Sequence, residues 1–164
     1  MNIFFIDKCP VMSAIQLCDK HVVKMVLETA QMCSTAMHYW DQAKHMEHVY
    51  KSAYVNHPMT VWVRDNVHNL AWAVIHGLSI GREYTYRYGK NHKSTKVLEE
   101  INDVLTDMAW GDVHSFALHT TPPQCMPDQF KCDDYVEAYR NYYRTDKAHI
   151  LQWTGRPTPE WIGA

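Results

Sequence analysis

The chemically richest stretch of the chain is Asp19-Lys20-His21-Val22-Val23-Lys24-Met25-Val26-Leu27-Glu28, where ionisable groups are set into an otherwise apolar helical pattern. His21 and Glu28 are seven residues apart, two helical turns, so both lie on one face with Lys24 adjacent to each. A carboxylate in an apolar wall has its charged form disfavoured by desolvation, whereas a close Lys24 ammonium favours it, and the sequence leaves that balance open. A group of this kind can move protons or stabilise a developing positive charge. A satisfied ion pair or a helix cap is the structural use of the same residues.

Other constellations carry less chemistry. His45 and His48 put two imidazoles at i,i+3 in a polar segment without a third ligand, which reads as solvated histidine. His114, His119, Cys125 and Cys132 crowd a proline-rich segment at spacings that match no zinc module, so no metal is expected. Glu99, Glu100, Asp103 and Asp107 form an acidic helix face that reads as solvated. Tyr84, Tyr86 and Tyr88 interleave with Arg82, Arg87 and Lys90. On a helix the three rings diverge, so two tyrosines are expected in the core with the arginines in water. The P-loop, dinucleotide and nucleophile-elbow signatures are all missing from the sequence.

The 164 residues are 46 % apolar and 21 % charged, an ordinary globular composition for one domain. Five cysteines without a C-x-x-C pair suggest neither a disulfide framework nor a zinc ribbon, and no apolar run reaches the ~18 residues of a membrane span. A cytoplasmic protein without membrane association is expected, in the host-cell cytoplasm if the chain is phage-encoded. The net charge of −2 argues against a uniformly basic nucleic-acid binder. The charge is nevertheless polarised: Arg82 to Lys96 holds five Lys/Arg against Glu83, and Arg140 to Arg156 holds four against Asp146. A basic cleft and a solvated helix face both fit this pattern.

The elements that must position these residues read as helices. A short extended piece, Ile3 to Ile6, precedes a long helix from Pro10 to about Tyr39, apolar on more than one side. Pro58 opens a second helix with the stripe Val63, Val67, Leu70, Val74 and Leu78, running to Tyr88 with Gly89 at C′ and weakened at Gly77 and Gly81. Ser94 is placed to cap a third helix whose stripe is Val97, Ile101, Val104 and Met108, ending near Gly111. Pro122, Pro123 and Pro127 keep residues 112 to 133 irregular. Asp134 with Glu137 resembles a capping box for a last helix reaching about Trp153. The fold class is therefore all-α: a single compact helical domain over residues 1–164 with about four main helices and irregular connections, and a tail from 154 packed on it.

The spacing D-x-H-x6-E on the first long helix, after a short extended N-terminus, resembles the pyrimidine-dimer DNA glycosylases, the phage endonuclease V-like family. The runs Arg87-Tyr88-Gly89 and Tyr139-Arg140-Asn141-Tyr142-Tyr143-Arg144 add a looser likeness. The resemblance implies an all-α enzyme whose N-terminal α-amine attacks the anomeric carbon of a damaged nucleotide. It displaces the base and forms an imine that permits β-elimination of the strand, with no metal or organic cofactor. An α-amine has a reference pKa of about 7.7–8.0 and is partly neutral at cellular pH, unlike a lysine. Asn2 is too large for removal of the initiator methionine, so the amine is that of Met1.

The resemblance makes Met1 the nucleophile and Glu28 the charge-stabilising acid/base. It assigns His21, Lys24, Arg82, Arg87, Lys90, Arg140, Tyr142, Tyr143 and Arg144 to double-stranded DNA carrying a lesion or modified base. The segment before His21 is longer than in the phage pattern, so whether the amine reaches Glu28 is left to the fold. Met25, Leu27 and Gln31 stand around Glu28 where the phage pattern supplies arginines. Two alternatives stay open: a glycosylase-like protein that processes hypermodified bases or binds DNA without cutting it, and a helical interaction protein in which Glu28 is structural.

Overall fold

The computed structural model describes residues 1–107 and 116–163. The described residues form six α-helices and no strand: α1 Pro10–Ile15, α2 Asp19–Tyr39, α3 Pro58–Asp65, α4 Val67–Tyr88, α5 Thr95–Asp107 and α6 Tyr135–Thr145. The all-α expectation holds. None of these helices is long and apolar enough to cross a membrane. Met108, Gly111 and His114 lie outside the described residues.

The extended piece Ile3–Ile6 is buried, and it determines where the chain terminus lies. Phe5 stacks on Trp72 of α4 at 4.2 Å between ring centroids, and Phe4 stacks on His21 of α2 at 4.2 Å. Rings of this size dominate local burial energetics, so the first six residues are threaded through the core rather than left as a mobile arm. Two bonds from α4 continue the fastening: Trp72 Nε1 donates to the Lys8 carbonyl at 3.1 Å, and His76 Nδ1 donates to the Pro10 carbonyl at 2.9 Å. Burial holds the His76 imidazole down at about 4, so it stays neutral in the core.

The helices pack around α4, which touches α1, α2, α3 and α5. Gly77 and Gly81 are what allow this approach. A Cβ on Gly77 would fall 2.7 Å from Leu98 Cδ1 and 2.9 Å from Thr29 Cγ2, and one on Gly81 would fall 2.7 Å from Thr95 Oγ1. Gly89 takes φ +65° at the end of α4, the left-handed C′ position expected for it.

Three helix boundaries differ from the sequence expectation, each for a physical reason. The first long helix is two, because the Arg87 guanidinium takes the carbonyls of Ile15 and Leu17 at 2.9 Å each and so ends α1. The second breaks at Asn66, whose extended backbone and side-chain oxygen cap α4 by accepting from the N–H groups of His68 and Asn69 at 3.0 Å. The last helix begins as expected at Asp134, which accepts from Val136 N–H at 2.9 Å, but it ends at Thr145. Beyond it the chain is pulled onto α1 and α2: Trp153 Nε1 donates to the Gln16 carbonyl at 2.9 Å, and Asp19 N–H donates to the Gln152 carbonyl at 2.8 Å. Ser94 does not cap α5 through its side chain. Its hydroxyl pairs with the Tyr50 hydroxyl at 3.0 Å.

Candidate active site at the chain terminus

Glu28 faces inward from the middle of α2, with its side chain 12 % exposed. The Met1 α-amine lies 3.7 Å from Glu28 Oε2, and the Asn2 N–H donates to the same oxygen at 2.9 Å. Lys24, one turn earlier and in water, pairs its ammonium with Oε1 at 3.1 Å. The fold therefore settles the reach of the terminus: threading Ile3–Ile6 through the core brings the amine to the carboxylate despite the longer leading segment.

Side chains then hold the amine in place. The Met1 side chain is only 2 % exposed, and its sulfur accepts from the Thr60 hydroxyl at 3.6 Å. Asn2 Nδ2 donates to the Cys125 carbonyl at 3.0 Å, and Asn2 Oδ1 lies 3.1 Å from the Tyr139 hydroxyl. That hydroxyl also lies 3.0 Å from the Pro123 carbonyl and accepts from Cys125 N–H at 3.2 Å. Burial raises the Tyr139 phenol well above its ordinary range, so it remains a neutral hydrogen-bonding group. The proline-rich segment is positioned in turn by Asn69, whose amide bonds Thr120 and the Trp62 carbonyl at 2.8–2.9 Å. A terminus held at both side chains is pre-organised, which matters because a reacting group misplaced by about 1 Å loses much of its rate.

An open cleft of about 750 Å³ lies over this terminus, lined by Met1, His57, Pro58, Pro122–Pro127, Lys131 and Tyr142. His57 was not singled out for chemistry from sequence, where Asn56-His57-Pro58 signals only a helix start. Its Nδ1 accepts from Met59 N–H at 3.2 Å, which caps α3 and leaves Nε2 to carry the proton of the neutral ring. Burial, then the terminal ammonium, hold this imidazole below the ordinary histidine range, with Glu28 pulling the other way. Amine, carboxylate and imidazole thus share one electrostatic neighbourhood.

The other residues tied to DNA by resemblance divide into two groups. Lys24, Arg82 and Lys90 are exposed. Arg82 lines a recess with Lys93, Lys96 and His92 at the α4–α5 turn, and His92 bonds the backbone of Val23, which ties this basic corner to the exposed face of α2. Tyr142 is half-buried and faces the cleft.

His21, Arg87 and Tyr143 require correction, because all three are buried. His21 stacks on Phe4 and pairs through Nδ1 with the Tyr143 hydroxyl. Burial first, then Lys147 and Lys24, lower its imidazole to about 3, so it is neutral and carries no charge for a phosphate. The Arg87 side chain is 0 % exposed, with its Nε, Nη1 and Nη2 directed at Glu83, Asp19 and the carbonyls of Ile15 and Leu17. Of the set interleaved with it, Tyr84 and Tyr88 pack against the core and Arg82 is in water as expected, but Tyr86 is exposed too, with Arg156 over its ring at 4.1 Å.

Arg140 and Arg144 are fastened as well. Arg140 donates to the Ile6 carbonyl at 2.9 Å and lies over the Trp161 ring at 5.4 Å, while Arg144 pairs with Glu137 and with the Trp161 carbonyl. These contacts hold the tail on the body, together with Thr154 on Asp19 and Arg156 on Glu83. Among the described residues no three His, Cys, Asp or Glu side chains are grouped to hold a metal ion. The Glu100 carboxylate of the supposed solvated acidic face instead accepts from the N–H groups of Glu47 and His48 at 2.6 and 2.8 Å.

The class is thus an all-helical body that buries its first residues, so that the α-amine meets a buried glutamate. The chain belongs to the pyrimidine dimer DNA glycosylase family, whose description matches residues 1–97, a span that includes Met1, Lys24, Glu28, His57 and Arg82. No curated protein matches the chain, and no solved structure does. Family membership makes DNA the substrate class and DNA repair the setting.

Proposed function

We propose that the protein is a DNA glycosylase with AP-lyase activity on damaged or modified pyrimidines in double-stranded DNA, acting through an imine formed at the Met1 α-amine. The observation that carries this reading is the 3.7 Å separation of Glu28 from the amine of Met1, a residue that lines an open cleft. In the neutral amine the nitrogen lone pair attacks C1′ as the bond to the base breaks, and the base leaves with the electron pair of that bond. Glu28 stabilises the positive charge that develops on the sugar and accepts the proton released by the amine. Opening of the sugar ring gives the imine. Loss of a C2′ proton then expels the 3′-phosphate, and water returns the amine. No step calls on a metal or organic cofactor.

Arg82 and Lys90, and Lys24 from its exposed pairing with Glu28, are placed to meet the phosphate backbone, with Tyr142 at the cleft wall. Their small number fits a binder of modest affinity whose dependence on salt is shallow. His21, Arg87, Arg140, Tyr143 and Arg144 support the site from behind. The matched segment and the C-terminal remainder work as one domain in this reading, since residues 122–127 and Tyr142 complete the cleft.

A second reading keeps the chemistry but changes the substrate to a bulkier, hypermodified pyrimidine. Leu27 and Gln31 beside Glu28 and the roomy cleft favour it. The test is base release and strand cleavage on three matched duplexes: undamaged, carrying a cyclobutane pyrimidine dimer, and carrying a hypermodified pyrimidine. Cleavage confined to the dimer duplex supports the first reading, and cleavage confined to the modified duplex supports the second. A folded protein that binds all three and cleaves none would contradict both.

A further inference from the structure

Tyr54 stands out among the residues that no part of the site description uses. Its backbone has φ +50°, a left-handed conformation that is strained for a bulky side chain, and its ring is 66 % exposed. Among the described residues the other non-glycine residue with positive φ is Asp41, a type that tolerates this region. Among the described residues no hydrogen bond or ring contact holds the Tyr54 side chain. The ring therefore returns nothing to the folded state in exchange for the strain, and glycine or asparagine would make the same turn more easily.

The turn itself is rigid and sits at the site. The Tyr54 carbonyl accepts from His57 N–H at 2.9 Å, and His57 lines the cleft with Met1. On the other side Ala53 N–H donates to Thr35 Oγ1 at 3.0 Å, which pins the segment to α2 two turns beyond Glu28. Tyr54 is thus anchored between the helix that carries Glu28 and the residue that faces the amine. Lys51, three residues earlier in the chain, is exposed, and Leu27, 41 % exposed, precedes Glu28 on α2.

We propose that Tyr54 is a base-stacking residue, whose ring enters the DNA stack beside the nucleotide presented to Met1 and fills the space that the extruded base leaves. Every base has a π-face, so a fixed aromatic ring can supply this contact without sequence preference, and insertion of a ring at an unstacked step is a common way to hold a distorted duplex. The proposal rests on the reading of the protein as a DNA glycosylase, but it concerns binding and not the imine.

The test uses a duplex carrying an uncleavable tetrahydrofuran abasic-site analogue, with an intact duplex of the same sequence as the reference, and it compares wild type with Tyr54→Gly and Tyr54→Phe. Tyr54→Gly is expected to weaken binding to the tetrahydrofuran duplex by roughly 5- to 150-fold, with binding to the intact duplex little changed. It is also expected to melt at or above the wild-type temperature, because glycine relieves the strained backbone. Tyr54→Phe keeps the ring and should bind as wild type. A merely structural role would lower the melting temperature and weaken binding to both duplexes alike, and that outcome overturns the proposal. So does a Tyr54→Gly protein that keeps full preference for the tetrahydrofuran duplex. A wild-type protein that prefers the tetrahydrofuran duplex but gives no borohydride-trapped adduct with a natural abasic-site duplex would remove the imine reading and leave Tyr54 in place. A wild-type protein without that preference would remove both.

Discussion

Glu28→Gln is expected to fold normally and to lose about 10²- to 10⁴-fold in the rate of base release and strand cleavage, the range that a positioned acid/base supplies. The substitution is conservative where the fold is concerned. A glutamine oxygen still accepts from the Asn2 N–H, now at 2.9 Å from Oε2, and the Lys24 partner is 66 % exposed and returns to water. What disappears is the negative charge facing the amine and the ability to take its proton. Binding to an uncleavable abasic-site duplex should change little, because the charge lost is not one that meets phosphate. A variant that unfolds would make Glu28 a structural ion pair. One that cleaves at the wild-type rate would leave the carboxylate without a role.

Arg87→Ala is expected to destabilise the protein by about 3–5 kcal/mol, the cost of removing one partner from a buried charged network. The guanidinium bonds Glu83 at 3.0 Å, Asp19 at 2.9 Å and the carbonyls of Ile15 and Leu17, and alanine leaves these acceptors in the core with fewer partners. Burial alone would raise the Asp19 carboxyl, but the bonds from Thr154 and Arg87 outweigh it and hold it below the ordinary range. Lysine cannot replace the fork of donors, so Arg87→Lys should recover only part of the loss. Arg82→Ala provides the contrast. Its side chain is exposed, so stability should move by no more than about 0.5 kcal/mol. The salt dependence of DNA binding should become shallower by about one phosphate contact. Chemical denaturation and salt titration of the two variants separate the roles, and an Arg87→Ala protein of wild-type stability would contradict the account of α1 and α2.

These two arginines also mark what could be read from the residue order. Helix periodicity is a local property, and it located α2, α4, α5 and the start of α6. The D-x-H-x6-E spacing brought out Glu28 for the same reason. The breaks at α1–α2 and α3–α4 escaped notice because apolar spacing carries across them. One is made by Arg87, distant in sequence, and the other by a single cap at Asn66. Arg87 itself, next to Tyr88 and Gly89, looks like any solvated helix end, and only the convergence of Asp19 and Glu83 reveals a buried guanidinium. His21 shares Glu28's helix face but stacks on Phe4 instead of facing the cleft. The amine–carboxylate contact and the place of His57 depend on how Ile3–Ile6 and the proline-rich segment cross the core, which no local pattern encodes.

The central claim is that the Met1 amine is the nucleophile, and it is tested most directly by reduction of the intermediate. The protein is incubated with an abasic-site duplex and sodium borohydride, beside a sample whose α-amine has been blocked, and the trapped peptide is identified by mass spectrometry. A protein–DNA adduct on the Met1 nitrogen that vanishes on blocking is the predicted result. No adduct from a folded protein that binds the duplex, or an adduct on a lysine that survives blocking, would contradict it.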